Sequence, residues 1–383
     1  MASERRVRPA ALSDRLTTFG GRRLSSAVMD YSGRRERLTS RLAELEADAF
    51  FVSHLPNVRY LTGFSGSNAQ AVITADGGIF FTDGRYAEQS RREVQDLDRR
   101  IYSGEFIASF KQACADLGLR RVAFEAGALT YKVYGQLSQT GAELVATDGE
   151  VERLRWVKEP GELERLGQAQ AIADEAFQVI TGKLLEGISE RVAVLELDVT
   201  MRQLGADGVS FDTIMAFGEN AAEPHHEPTG RRLSQGDIVK IDFGALVDGY
   251  HSDMTRTLAF GEPKPELRDV YEVVRRAQKA GVDAVTAGRT GGDVDAVVRG
   301  IIAEAGYVEQ FRHPLGHGVG LEIHEGPSLR QGGSDVLPER AVITIEPGVY
   351  LEGLGGVRIE DMVEVLANGG RVIPATTKDL IVL

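Results

Sequence analysis

The chain has 383 residues, enough for two domains, and its 42% hydrophobic content is normal for a protein with a sizeable core. A formal net charge of −13 favours solubility and speaks against nucleic acid or anionic lipid as the main partner. No stretch reaches the roughly 18 consecutive apolar residues of a membrane span. The single cysteine, Cys114, can form no internal disulfide and lacks zinc-site spacing, which fits a reducing compartment such as the cytoplasm.

Residues 1–29 stand apart. Arg5, Arg6, Arg8, Arg15, Arg22 and Arg23 crowd there with few acids and no apolar block, so a secretory signal is not indicated. Organelle transit peptides share this composition, but the plainer expectation is a disordered or non-native leader, with Met29 as an alternative start.

Residues 30–156 read as a small α/β domain. A helix opens near Ser32, with Leu38, Leu42 and Leu45 on one face. β-rich runs follow at Ala49–Ser53, Gln70–Thr74 and Gly78–Thr82. Helical stretches at Tyr86–Leu97 and Phe106–Leu117 alternate with a strand at Arg121–Glu125. No catalytic cluster stands out here. A boundary falls near Trp156–Pro160, where Pro160 suits the first turn of a helix and Glu162 and Glu164 suit its positive end. Residues 157–383 hold six of the seven histidines, His54 being the exception. Each half of this part reads as helices followed by an acid-bearing hairpin, a hint of internal duplication.

Three segments carry chemistry. In the first, Asp248-Gly249 is a tight hairpin turn signal. It would pair Val247 with Tyr250, Gly244 with Asp253 and Asp242 with Thr255. Because side chains alternate faces along a strand, Asp242 and Asp253 then share a face as diagonal neighbours. They are either two surface acids on an edge hairpin or a pair held together by a cation. In the second, His313, His317 and His324 lie among glycines, and Gly316 and Gly318 flank His317, so that the backbone can turn and expose the imidazole. The alternating run Val319–His324 predicts a strand. In the third, Glu346 terminates an apolar strand, and Glu360 lies inside a second, Val357–Val365. A glutamate in such surroundings is costly unless paired or metal-bound. Arg358 falls on the same strand face as Glu360 and could be a simple salt-bridge partner. Four carboxylates and one imidazole form an oxygen-rich set that suits two Mn²⁺, Co²⁺ or Zn²⁺ ions better than a Cys-rich structural zinc.

Ile-Asp242-Phe-Gly, Ser-Asp253-Met-Thr-Arg-Thr, Gly-His317-Gly-Val-Gly-Leu, Ile-Glu346-Pro-Gly-Val-Tyr and Gly-Val-Arg-Ile-Glu360-Asp resemble, in that order, the signature of the pita-bread metallopeptidases. Asn57–Asn68 and Phe81–Tyr86 resemble the N-terminal domain of their proline-specific branch. The resemblance implies an α+β pita-bread catalytic domain behind a smaller N-terminal α/β domain. It implies two divalent ions, Mn²⁺ in the first place, with Asp242 on one, His317 and Glu346 on the other, and Asp253 and Glu360 bridging. It makes Glu346 the general base toward a bridging hydroxide. His225 and His313 would shape the substrate side, and His324 would stabilise the oxyanion with Arg358 in support. His226 and His251 match no such role. The implied reaction is release of an N-terminal residue from a following proline, as in aminopeptidase P. Gly63–Asn68 leans that way, with the Xaa-Pro dipeptidase, prolidase, as the alternative. A non-catalytic binding module of the same fold is a further alternative, disfavoured because all five ligand positions are intact. Peptide substrates with proline at the second position, a homodimer and a cytoplasmic location complete the expectation.

Overall fold

The computed structural model describes residues 29–383, so the leader expected at residues 1–29 lies, but for Met29, outside the described residues. The N-terminal part contains α1 (Tyr31–Thr39), β1 (Ala49–Val52), α2 (Leu55–Thr62), β2 (Gln70–Thr74), β3 (Gly77–Asp83), α3 (Ala87–Glu93), β4 (Asp98–Tyr102), α4 (Phe106–Asp116), β5 (Arg121–Glu125), α5 (Tyr131–Leu137), β6 (Glu143–Thr147) and α6 (Glu150–Trp156). One sheet runs in the order β4-β3-β2-β1-β5-β6. Its central strand β1 is Ala-Phe-Phe-Val, buried on both faces. Alternation along it divides the core: Phe51 joins Phe110, Ala113 and Cys114 under α4, whereas Phe50 and Val52 join Leu38, Val58 and Leu61 on the opposite face. That second layer continues through Tyr250, Val319, Val342 and Met362, so the core is continuous with the C-terminal part.

Two helical expectations are shortened. The first helix ends at Thr39, leaving Leu42 and Leu45 in the turns that follow. The stretch Tyr86–Leu97 yields only α3, because Gly84–Tyr86 winds as a 3₁₀ turn and the chain becomes extended at the buried Val94.

The C-terminal part contains α7 (Pro160–Thr181), α8 (Glu190–Gln203), β7 (Gly208–Val209), β8 (Ile214–Phe217), β9 (Asp237–Phe243), β10 (Ala245–Val247), β11 (Tyr250–His251), β12 (Met254–Phe260), α9 (Pro265–Ala284), α10 (Gly291–Glu304), β13 (Gly316–Gly318), β14 (Glu325–Leu329), β15 (Val342–Ile345), β16 (Gly348–Leu351), β17 (Gly355–Arg358), β18 (Asp361–Leu366) and β19 (Gly369–Val372). Pro160 does open α7, where Glu159 and Glu162 form a reciprocal cap. Two similar halves result. Ala173, Phe177, Ala193 and Leu197 of α7 and α8 pack on Val239, Ile241 and Phe243 of β9. Val270, Val274, Val294 and Val298 of α9 and α10 pack on Ile343 and Ile345 of β15 and on Val363 and Val365 of β18. With the odd-numbered residues of β9 committed to the helices, Lys240 and Asp242 face the space between the halves. Among the described residues no helix is long and apolar enough to cross a membrane.

Two strand expectations fail. Val319–His324 is a series of bends joining β13 to β14, since Gly316 pairs with Leu329 and Gly318 with Glu325, leaving those six residues to make the connection. The run Val357–Val365 breaks at Ile359–Glu360: β17 pairs with β16, β18 with β15, and the Glu360 N–H is taken by the Thr255 carbonyl at 3.1 Å.

Candidate metal centre

The hairpin register is set where the sequence puts it. Asp248 and Gly249 both hold positive φ, 47° and 75°, as a two-residue hairpin turn of this hand requires. Val247 pairs with Tyr250 and Asp242 with Thr255. The turn is braced from outside by Arg59, whose Nη2 donates to Asp248 Oδ1 at 2.6 Å, and by Arg165 on the other oxygen.

His317 sits in a tight backbone channel. A Cβ on Gly316 would lie 2.0 Å from the Thr344 carbonyl oxygen, and one on Gly318 would lie 2.1 Å from that of Gly326, so neither position accepts a side chain. The His317 Nδ1 is 3.0 Å from the Gly318 carbonyl. A carbonyl only accepts, so Nδ1 carries the proton and Nε2 presents its lone pair. That Nε2 lies 3.6 Å from Asp253 Oδ2 and 3.5 Å from Glu346 Oε1. Ligand atoms of Asp253, His317 and Glu360 all fall within 4.8 Å of one another. Thr255 Oγ1 donates to Glu360 Oε2 at 2.7 Å, and Thr344 Oγ1 donates to Glu346 Oε1 at 3.3 Å. Asp242 Oδ2 accepts from Arg358, while its Oδ1 is buried without a partner.

The electrostatics fit a cation-binding set. Asp253 is pushed well above the carboxylate range by burial and then by Glu360, Asp242 and Glu346. Glu360 moves the same way, from burial and then Glu346 and Asp242. Glu346 rises to about 8, chiefly through burial, with Arg358 opposing and Asp242 adding. Burial, followed by the neighbouring His324, lowers His317 to about 4 and keeps it neutral. Buried acids crowded in this way around one neutral imidazole and one orphaned oxygen match the donor chemistry of hard divalent ions.

The acids line a cleft of about 570 Å³ together with His225, His313, His324, Arg358 and the Phe211–Ile214 segment. All nine candidate residues thus meet in one place. His324 is exposed to the cleft and stands edge-on to His317, ring centroids 4.3 Å apart; it makes no hydrogen bond or ion pair among the described residues. His313 uses both nitrogens, Nδ1 on the Pro314 carbonyl at 2.8 Å and Nε2 on Tyr350 OH at 2.9 Å. His225 is exposed at the cleft wall, lowered by burial and by Arg358.

Arg358 departs from the salt bridge expected with Glu360. The strand break at Ile359–Glu360 voids the face argument, and the guanidinium turns to Asp242, Thr255 Oγ1 (3.0 Å), Tyr350 OH (2.8 Å) and the Pro224 carbonyl (3.1 Å). Four supporting residues carry no signal in the sequence alone: Tyr350, though it ends the Ile-Glu346-Pro-Gly-Val-Tyr motif, Thr255, Thr344 and Lys240. His226, read as a bland polar position, is in fact buried between Glu190 (3.0 Å) and Glu223 (2.6 Å) at the cleft wall.

The sequence profile of Metallopeptidase family M24 matches residues 164–367, and that of the Creatinase/Prolidase N-terminal domain matches residues 34–157. The chain belongs to metallopeptidase family M24, with its two-part architecture of an N-terminal creatinase/prolidase domain and a pita-bread catalytic domain. It is a hydrolase acting on peptide bonds, and the family implies divalent metal ions at the acid cluster. It is 35% identical over 351 residues to the Xaa-Pro dipeptidase of Pyrococcus furiosus, covering 91% of this chain and 99% of that one. Among solved structures, an Xaa-Pro dipeptidase from Bacillus anthracis superposes with a TM-score of 0.90 at 38% identity, covering 92% of this chain and 100% of that one. An X-Pro aminopeptidase from Thermotoga maritima gives 0.85 at 35%, with coverage of 91% and 100%.

Proposed function

We propose that the protein is a two-metal Xaa-Pro dipeptidase, hydrolysing the bond between an N-terminal residue and a C-terminal proline. The observation that carries this reading is the convergence of Asp242, Asp253, His317, Glu346 and Glu360 in one cleft. The preference for a dipeptide replaces the aminopeptidase P reading suggested by Gly63–Asn68; it is supported by the Pyrococcus and Bacillus anthracis relatives, both named Xaa-Pro dipeptidase. The Thermotoga neighbour, named an aminopeptidase, keeps that activity as the second reading.

In this proposal the five residues hold two divalent ions, manganese first, with cobalt or zinc compatible with the same donors. When bound, such ions supply Lewis acidity that makes water a competent nucleophile at neutral pH. Glu346 takes a proton from the attacking water and returns it to the proline nitrogen, a tertiary amide nitrogen that leaves once protonated. His324 donates to the scissile carbonyl oxygen as negative charge grows there. His225 meets the bound peptide from the cleft wall. His313 forms wall rather than donor, since both its nitrogens are engaged. Arg358 acts one layer back, orienting Asp242 and Tyr350. A homodimer and a cytoplasmic location belong to the same proposal, supported by the family resemblance and the lone cysteine; light scattering and cell fractionation test them.

The deciding experiment strips the protein with chelator, reloads Mn²⁺, Co²⁺ or Zn²⁺ separately, and compares Xaa-Pro with Xaa-Pro-Xaa peptides. Faster turnover of the dipeptide is expected. Faster turnover of the tripeptide would move the assignment to the aminopeptidase. No turnover of either by metal-loaded protein would end the catalytic reading.

A further inference from the structure

One wall of the cleft is the irregular segment 223–228, from which His225, His226, Glu227 and Pro228 line the cavity. Without ladder hydrogen bonds, its shape depends on what grips it from behind. Its far end is held by the buried Glu190, whose Oε2 accepts from His226 Nε2 (3.0 Å), the Thr229 N–H (2.8 Å) and Thr229 Oγ1 (2.7 Å). Its near end is held by two basic side chains. Lys240 Nζ donates to the carbonyl oxygens of Glu223 and Pro224, the latter at 3.2 Å, and Arg358 Nη1 donates to the same Pro224 oxygen at 3.1 Å. Between the two grips stands His225, which makes no hydrogen bond among the described residues and faces the cleft.

Lys240 is the unusual member. It is fully buried, forms no ion pair with a carboxylate among the described residues, and has the Tyr350 ring 5.2 Å from its Nζ. Burying an amine away from water is costly, and an apolar side chain of similar length would fill the same space without that cost. It lies on β9 with Val239 and Ile241 turned to the helices, so its side chain shares a face with Asp242 and reaches under the wall.

We propose that Lys240 is a positioning residue for substrate recognition: by fixing the Glu223 and Pro224 carbonyls it sets where His225 meets the bound peptide. The inference rests on the peptidase reading of the cleft for its kinetic consequence, but not for its structural one.

The test replaces Lys240 with Met and uses two readouts. Hydrogen exchange of the metal-loaded protein should quicken, by roughly tenfold or more, at the amides of His225, His226, Glu227 and Thr229, while amides of β9 stay protected. On an Xaa-Pro dipeptide, KM should rise about tenfold with kcat within about threefold of wild type, and the effect should vanish when His225→Ala is already present. Lys240→Arg, which keeps donors in place, should recover part of the loss. Unchanged exchange in the segment overturns the proposal. So does an equal kinetic loss with and without His225, which would make Lys240 a packing residue. If wild type cleaves no Xaa-Pro peptide, the functional reading fails, while the exchange arm still decides the role of Lys240.

Discussion

Replacing His324 with Ala separates a catalytic histidine from a structural one. His324 is exposed to the cleft, and its recorded side-chain contact is the edge-on packing against His317 at 4.3 Å. Such aromatic pairs are worth about 0.5–1.5 kcal/mol. For a domain of this size each kcal/mol moves the melting temperature by about 2–4 °C, so the variant should melt only about 1–6 °C lower. The rate should suffer far more. Losing one donor to a developing oxyanion costs on the order of 10²–10³ in kcat, about 2.7–4 kcal/mol. Because Nε2 of His317 and the four acids are untouched, bound metal should stay near the wild-type amount. The assay is kcat per folded molecule on an Xaa-Pro dipeptide, alongside a melting curve and metal analysis of the same preparation. A variant that keeps kcat within about threefold of wild type refutes the role. So does a variant that loses metal in step with activity, because His324 would then be acting as a ligand.

Asp253→Ala should behave in the opposite way, losing metal and activity together, with elemental analysis as the check; retained metal would remove Asp253 from the ligand set. Arg155→Met should destabilise the fold. The guanidinium is buried between Glu325, Glu322 (2.8 Å) and Asn57 (2.7 Å), and removing one member of a buried ion pair costs about 3–5 kcal/mol. A melting temperature lowered by less than about 2 °C would show that Lys158, 2.6 Å from Glu325, suffices alone. His54→Gln should have a pH-dependent effect. The His54 pKa is raised, first by its hydrogen bond to Glu322 at 3.3 Å, with burial opposing; Glu152 and Arg155 also face it. A raised histidine stabilises the fold fully below its unfolded pKa, near 6.5, and that stability is lost as pH rises through the folded value. Wild type should therefore outlast the variant at pH 6 and not at pH 9. Half-exposure limits the difference to about 0.2–1 kcal/mol, read as a melting shift of about 0.4–4 °C. An equal gap at both pH values would refute the linkage.

What the sequence makes legible here is local and periodic. A two-residue turn that needs positive φ twice leaves few alternatives to Asp-Gly, and from it the strand period fixes which residues oppose Asp242. Glycines on both sides of His317 announce a close backbone approach, and the Gly316 and Gly318 contacts bear that out. The errors share a different cause. Alternation over six residues cannot tell a strand from a hairpin connection, so Val319–His324 reads as a strand although it contains Gly320. The run Val357–Val365, which holds no glycine or proline to mark a break, hides a change of partner from β16 to β15 at its centre. Arg358 finds Asp242, 116 positions away, and nothing in either local sequence names the other. Lys240 is hidden for the same reason, because its task depends on carbonyls 16 and 17 positions earlier.

The N-terminal domain carries none of the nine candidate residues, yet the geometry ties it to the cleft at two points. Arg59, from α2, grips the Asp248 turn of the hairpin that carries Asp242 and Asp253. Arg155, at the end of α6, grips Glu322 and Glu325, which bracket His324. The Asp248 turn and Glu322 lie in connections, with Glu325 opening β14 opposite Gly318, and connections are where positional freedom concentrates. Asp253 follows the first of these turns, between β11 and β12 and within reach of His317 and Glu360, and His324 faces the same space from the second connection. Misplacement by about 1 Å at a reacting group can cost on the order of 100-fold in rate. A second domain without reactive groups therefore limits how far these two connections can move. Variants at its Arg59 and Arg155 contacts belong with the active-site set even though neither side chain reaches the cleft.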